Sequence, residues 1–235
     1  MQLLLSIIYT CFLFISTLLY SLVTLAVCWV PFLKRYWIAR QWANVEMAAL
    51  KLLCGLDYTV EGRENIPTGA HICMWKHSSA WETIAQGAIF PPLVWVLKRE
   101  LTWFPVLGWA IRCMEPIAIN RSAKMAAAKQ VVAQGRERLA RGRWVVIFPE
   151  GTRMAVGHTR KYGTSGALLA VETGALIIPV AHDAGKYWAK RSWIKKPGTI
   201  RVIIGPPIQT KGKDVRAVNE AVRLWIDTTV AGLGA

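Results

Sequence analysis

Residues 144–153 read Trp-Val-Val-Ile-Phe-Pro-Glu-Gly-Thr-Arg, an apolar run that gives way to a polar turn. The run reads as a strand. Pro149 ends it, having no amide to give to a ladder, and Gly151 permits a tight backbone path. Short apolar or β-branched runs recur at 57–61, 70–75, 93–97, 115–119, 176–181 and 200–204. Helical patterns lie between several of them, at 81–89, 122–141, 163–173 and 213–231. In the second of these, Met125, Val131, Val132 and Leu139 are apolar, while Lys124, Lys129, Arg136 and Arg138 are polar. Strands alternating with helices predict an α/β fold with a mostly parallel sheet flanked by helices. No repeat or low-complexity linker divides residues 55–235, which read as one catalytic domain. In such sheets, sites gather at the loops beyond the carboxyl ends of the strands.

Residues 1–54 read as a membrane-anchoring helical segment. No charged side chain occurs from Gln2 to Leu33, and a span needs about 20 apolar residues. One straight helix would reach about 45 Å at the usual rise, so tilting or partial burial in the protein is expected. A cleaved signal peptide fits poorly, because there is no basic leader and no A-x-A site. Lys34, Arg35 and Arg40 follow, which places the rest of the chain on the cytoplasmic side of an inner membrane. Residues 39–54 carry an apolar stripe of Trp42, Val45, Ala49, Leu52 and Leu53, fitting a second embedded helix or a core-facing one.

The formal net charge is +15, yet 54% of residues are hydrophobic, and there are 12 tryptophans. That hydrophobicity excludes a disordered basic tail. The combination favours an anionic phospholipid surface over nucleic acid as the partner. The five cysteines, Cys11, Cys28, Cys54, Cys73 and Cys113, show no C-x-x-C spacing. Reduced buried thiols are expected, with no disulfide or zinc framework. The four histidines form no ligand cluster, and no metal site is expected.

Two segments carry chemistry. The first is Lys76-His77-Ser78-Ser79-Ala80-Trp81-Glu82. An imidazole is suited to act as a base near neutral pH, and a carboxylate on its other nitrogen would fix the tautomer. His77 and Glu82 would sit about 140° apart on one helix. They meet only if His77 precedes the helix and the chain folds back through Ser78 and Ser79. Ser79-x-x-Glu82 is also a capping box, which competes for the same carboxylate. The second is the turn after residue 148. There Arg153 offers a planar fork of donors for phosphate, Thr152 a hydroxyl, and the turn its amides. Glu150 would bind a substrate hydroxyl or orient Arg153.

Together these pieces resemble the glycerolipid acyltransferase superfamily, in particular the bacterial PlsC-like 1-acyl-glycerol-3-phosphate acyltransferases. The H-x-x-x-x-D block corresponds to His77 through Glu82, with Glu in place of the usual Asp. A second block resembles Gly108 through Ile111 and Ile117 through Arg121. The F-P-E-G-T-R block is matched letter for letter at Phe148 to Arg153, and a proline-containing apolar run at Ile177 to Val180. The resemblance implies a glycerol-3-phosphate acyltransferase-like fold. It also implies direct acyl transfer from acyl-CoA or acyl-carrier protein to lysophosphatidic acid, without a further cofactor. His77 and Glu82 would be catalytic, and Arg121, Glu150, Gly151, Thr152 and Arg153 would hold the phosphoglycerol head. Another lysolipid acceptor, such as a lyso-ornithine lipid, is the alternative. A non-enzymatic membrane-tethered nucleic-acid or lipid-binding protein would leave both blocks unexplained. Finally, Tyr187, Trp188 and Trp193 alternate with Lys186, Lys190, Arg191, Lys195 and Lys196, which reads as a membrane-facing loop.

Overall fold

A computed structural model describes residues 1–123 and 125–234, with the side chains of Arg121 and Met125 outside the description. The charge-free run does not form one helix. Helix α1 covers Gln2–Ala26 and α2 covers Phe32–Cys54, with Pro31 at the start of the second. Proline suits that position because its missing amide has no partner in a first turn. Gly55 closes α2 in the left-handed conformation, at φ 65°, where a side chain would be strained.

Helix α1 has inverted polarity. Its buried residues are Ser6, Tyr9, Ser16, Ser21 and Thr24, whereas Leu4, Phe14, Ile15, Leu18 and Leu19 are exposed. At 25 residues it is about 37 Å long, enough to cross a bilayer by length and composition. Its polar stripe faces protein. Ser16 donates to buried Glu46 of α2, and Trp42 Nε1 donates to Ser16.

Among the described residues, seven strands form one mixed sheet: β1 (Leu56–Glu61), β2 (Ile72–Trp75), β3 (Leu93–Lys98), β4 (Ile117–Ile119), β5 (Trp144–Ile147), β6 (Ile177–His182) and β7 (Gly198–Ile204). Their order is β1-β7-β6-β2-β5-β3-β4. All pairings are parallel except β6 with β7. Every residue of β2, β5 and β6 is buried, as expected of central strands covered on both faces. Helices α3 (Trp81–Ile89), α5 (Met125–Ala140), α6 (Ser165–Thr173) and α8 (Val215–Gly232) fall where the periodicity puts them. Two short helices, α4 (Leu107–Cys113) and α7 (Ala184–Tyr187), do not show in the pattern.

Two expectations are corrected. Cys28 and Cys113 form a disulfide, with Cα atoms 5.5 Å apart and 85 positions between them in the chain. Packing of α4 against α1 brings them together, which no local spacing announces. Cys54 and Cys73 are buried thiols and Cys11 an exposed one. The basic residues after α1 are not all surface charges. Arg35 is buried on Glu115 at 2.9 Å, and Arg40 donates to the carbonyls of Ala88 and Phe90.

Candidate active site

The carboxyl ends of β2 and β5 lie side by side, which brings the two chemical segments together. His77 follows β2 and precedes α3, so the chain folds back as required. Glu82, in the first turn of α3 and fully buried, places Oε1 2.8 Å from His77 Nδ1. The same carboxylate accepts the amides of Ser78 at 2.9 Å and of Ser79 at 2.9 and 3.1 Å. Glu82 therefore serves both the imidazole and the helix start. Burial pushes its carboxyl upward, but the His77 hydrogen bond, the nearby imidazoles of His182 and His77 and the Ser79 amide together outweigh this and hold it below the ordinary range. An ionised carboxylate only accepts, so Nδ1 carries the proton. His77 Nε2 makes no hydrogen bond among the described residues.

The second segment frames the ring. Phe148 stacks on His77 with centroids 4.0 Å apart and planes 20° apart, and the Met154 amide donates to the His77 carbonyl at 2.7 Å. Glu150, expected to bind a substrate hydroxyl or to orient Arg153, pairs here with Lys76. It is buried, with Oε1 2.6 Å from Lys76 Nζ and Oε2 accepting the His77 amide at 2.8 Å. Both oxygens are thus turned inward, and Glu150 is a strut between the segments. Gly151 has φ 68°, the left-handed value that turns the chain out of β5 towards solvent.

Thr152 and Arg153 line a cavity of about 690 Å³ together with His77, Gly151 and Phe148. Lys98, Lys190 and Arg191 also border it. Trp42, Trp95, Leu107, Ile111 and Met114 form its apolar wall, and they also line a smaller apolar cavity reaching Thr17, Tyr20 and Thr24 of α1. The site thus has a polar rim and a greasy floor directed at α1 and α2. The side chain of Arg121, expected on the headgroup, lies outside the described residues.

Around His77 the structure adds side chains that the sequence reading gave no role, among them Phe148, Lys76 and His182. Phe148 and Lys76 belong to the two quoted segments, so their positions carried a signal. His182 did not. At the end of β6 it is fully buried, with Nε2 donating to the Lys76 carbonyl at 2.9 Å and Nδ1 accepting the Ala184 amide at 3.2 Å. This fixes a neutral ring beneath Glu82, with Nε2 3.9 Å from Oε2. Burial lowers the His182 pKa from its ordinary 6.5, against the pull of Glu82 and Asp183. The unfolded chain therefore binds a proton that the folded one resists. Stability is full above about 6.5 and falls as pH drops below it. Thermal midpoints between pH 7 and 5 should fall less steeply in His182→Gln than in the parent. Parallel slopes would show that His182 does not carry this dependence.

Residues 57–183 match the acyltransferase family. The chain belongs to that family. Over 206 residues, this acyltransferase is 43% identical to a 1-acyl-sn-glycerol-3-phosphate acyltransferase of Pseudomonas aeruginosa, covering 86% of this chain and 80% of that protein. It is 28% identical over 196 residues to the mouse 1-acyl-sn-glycerol-3-phosphate acyltransferase alpha, covering 78% and 69%. Its fold resembles the crystal structure of PlsC, the 1-acyl-sn-glycerophosphate acyltransferase of Thermotoga maritima. That likeness has a TM-score of 0.82 at 22% identity, covering 100% of this chain and 96% of that one.

Proposed function

We propose that this acyltransferase moves a fatty acyl group from acyl-CoA or acyl-carrier protein to the free hydroxyl of 1-acyl-glycerol-3-phosphate, giving phosphatidic acid. The observation that carries this is the His77 ring. Its Nδ1 proton is held by Glu82, and the ring borders a cavity shared with Thr152 and Arg153. Nε2 takes the proton of the acceptor hydroxyl as its oxygen attacks the thioester carbonyl. The C–S bond breaks, and the thiolate leaves with the proton from Nε2. No covalent acyl-enzyme is required. Phe148 and Glu82 keep the ring in place, so little reorganisation accompanies the transfer.

Arg153 and Thr152 hold the acceptor phosphate, and the apolar wall takes acyl chain. Arg153→Ala should raise the KM for lysophosphatidic acid by about 10-fold, the loss of one charge-assisted contact at an exposed rim. An unchanged KM would remove Arg153 from the phosphate site. The names of the relatives above favour this acceptor over other lysolipids. The decisive assay is thiol release by purified protein supplied with acyl-CoA and a panel of lysolipids.

The enzyme works at a membrane, in our reading an inner membrane with the domain on its cytoplasmic side. The apolar exposed face of α1 supports this, as do the exposed aromatic side chains of Trp29, Trp37, Trp103, Phe104 and Trp109, since Trp favours the headgroup boundary. The basic aromatic loop divides. Trp188 and Lys195 are buried against α1, with Lys195 Nζ 4.9 Å above the Trp188 ring, while Trp193 and Ile194 remain exposed.

A further inference from the structure

The cavity beside His77 has cations on two flanks. In the strand order β6-β2-β5-β3, His77 follows β2, Arg153 follows β5 and Lys98 ends β3. Lys190 and Arg191 come from the opposite side, in the segment joining β6 to β7. All four border the same cavity. Among the described residues, none of Lys98, Arg153, Lys190 and Arg191 has a carboxylate within the 4.0 Å of an ion pair.

The Lys190–Arg191 tip is built, not trailing. Arg191 has φ 64°, a conformation that costs an L-residue energy and persists only where the surroundings impose it. Backbone bonds from Ser192 to Ala189 at 3.0 Å and from Lys196 to Tyr187 at 2.9 Å close the loop. Beneath it, buried Lys195 holds the loop on Ser6 of α1.

The reaction brings two phosphorylated molecules to one imidazole. Resting on the function proposed above, we infer that Lys190 and Arg191 bind the acyl donor through the phosphate of its pantetheine arm. That leaves Arg153 and Lys98 for the acceptor. Coenzyme A and acyl-carrier protein share this phosphate. A guanidinium fork beside an ammonium suits a phosphoester on an extended arm.

The test uses the full-length enzyme in lipid–detergent micelles and the double variant Lys190→Gln/Arg191→Asn. Asn tolerates the left-handed backbone at 191, and the two changes remove both charges and the guanidinium fork while keeping polar side chains. The KM for acyl-CoA should rise by about 10-fold or more, with the KM for lysophosphatidic acid within about twofold. The gap between parent and variant should vanish with S-acyl-pantetheine, which lacks the phosphate. A rise with only one of acyl-CoA and acyl-carrier protein would support the inference and name the donor. An unchanged KM for both donors would overturn it, as would an equal loss on acyl-pantetheine. A rise confined to the lysolipid, or a loss only of binding to anionic vesicles, would also overturn it. Equilibrium binding of a thioether analogue of acyl-CoA separates this claim from the proposed function. Absence of transfer to any lysolipid by the parent defeats that function, whereas analogue binding that depends on the two cations stands without turnover.

Discussion

His77→Ala should lower kcat by about 10³, within the usual range for loss of a general base, while the KM values for donor and acceptor change little. The imidazole ring lines the cavity with its side chain 14% exposed, so truncation leaves no large void in the core. Glu82 would keep the Ser78 and Ser79 amides after the ring is gone, and α3 should remain seated. The loss is therefore chemical. Thiol release at saturating substrate reads it directly, with circular dichroism to confirm the fold. Turnover within tenfold of the parent would mean that the acceptor hydroxyl is activated by some other group. Added imidazole provides a second reading. Partial rescue of His77→Ala is expected, because the void lies on the cavity that substrate enters.

Lys76→Met should be the most destabilising single substitution in the site. Lys76 and Glu150 are both buried and 2.6 Å apart. Removing the cation strands a carboxylate away from water, and breaking such a pair typically costs about 3–5 kcal/mol. For a chain of this size, that corresponds to a fall of about 10 °C in the thermal midpoint. The second change, Glu150→Gln, should restore at least half of the loss. The amide oxygen still accepts the His77 amide, and no charge is left stranded. If Lys76→Met/Glu150→Gln were as unstable as Lys76→Met, the pair would not be the cause. Activity should fall in both variants, since Glu150 Oε2 fixes the backbone that carries the imidazole.

Much of the fold was legible locally. Central strands such as β2 and β5 are wholly apolar because both faces are covered, so they stand out as short runs between polar turns. Helices α5 and α8 show because one face of each meets solvent. Helices α4 and α7 were invisible, being shorter than the two turns that a period needs. The site divides along the same line. His77, Glu82, Thr152 and Arg153 could be named because the two segments carry unusual residues at fixed spacing. Glu150 was misplaced, since a carboxylate in a polar turn looks solvent-facing until Lys76 is seen beneath it. His182 and the Lys190–Arg191 tip gave no signal as site residues.

The sequence alone determined the alternation of strand and helix, the apolar N-terminal run and the two segments with their chemistry, because each is written within a few turns of chain. Tertiary structure alone decided that those segments meet, through the adjacency of β2 and β5. It also decided that Cys28 finds Cys113 across 85 positions and that cations flank one imidazole from both sides. Hydrophobic burial and backbone hydrogen bonding set strand order over the whole chain, so such contacts between distant residues leave no local pattern to read.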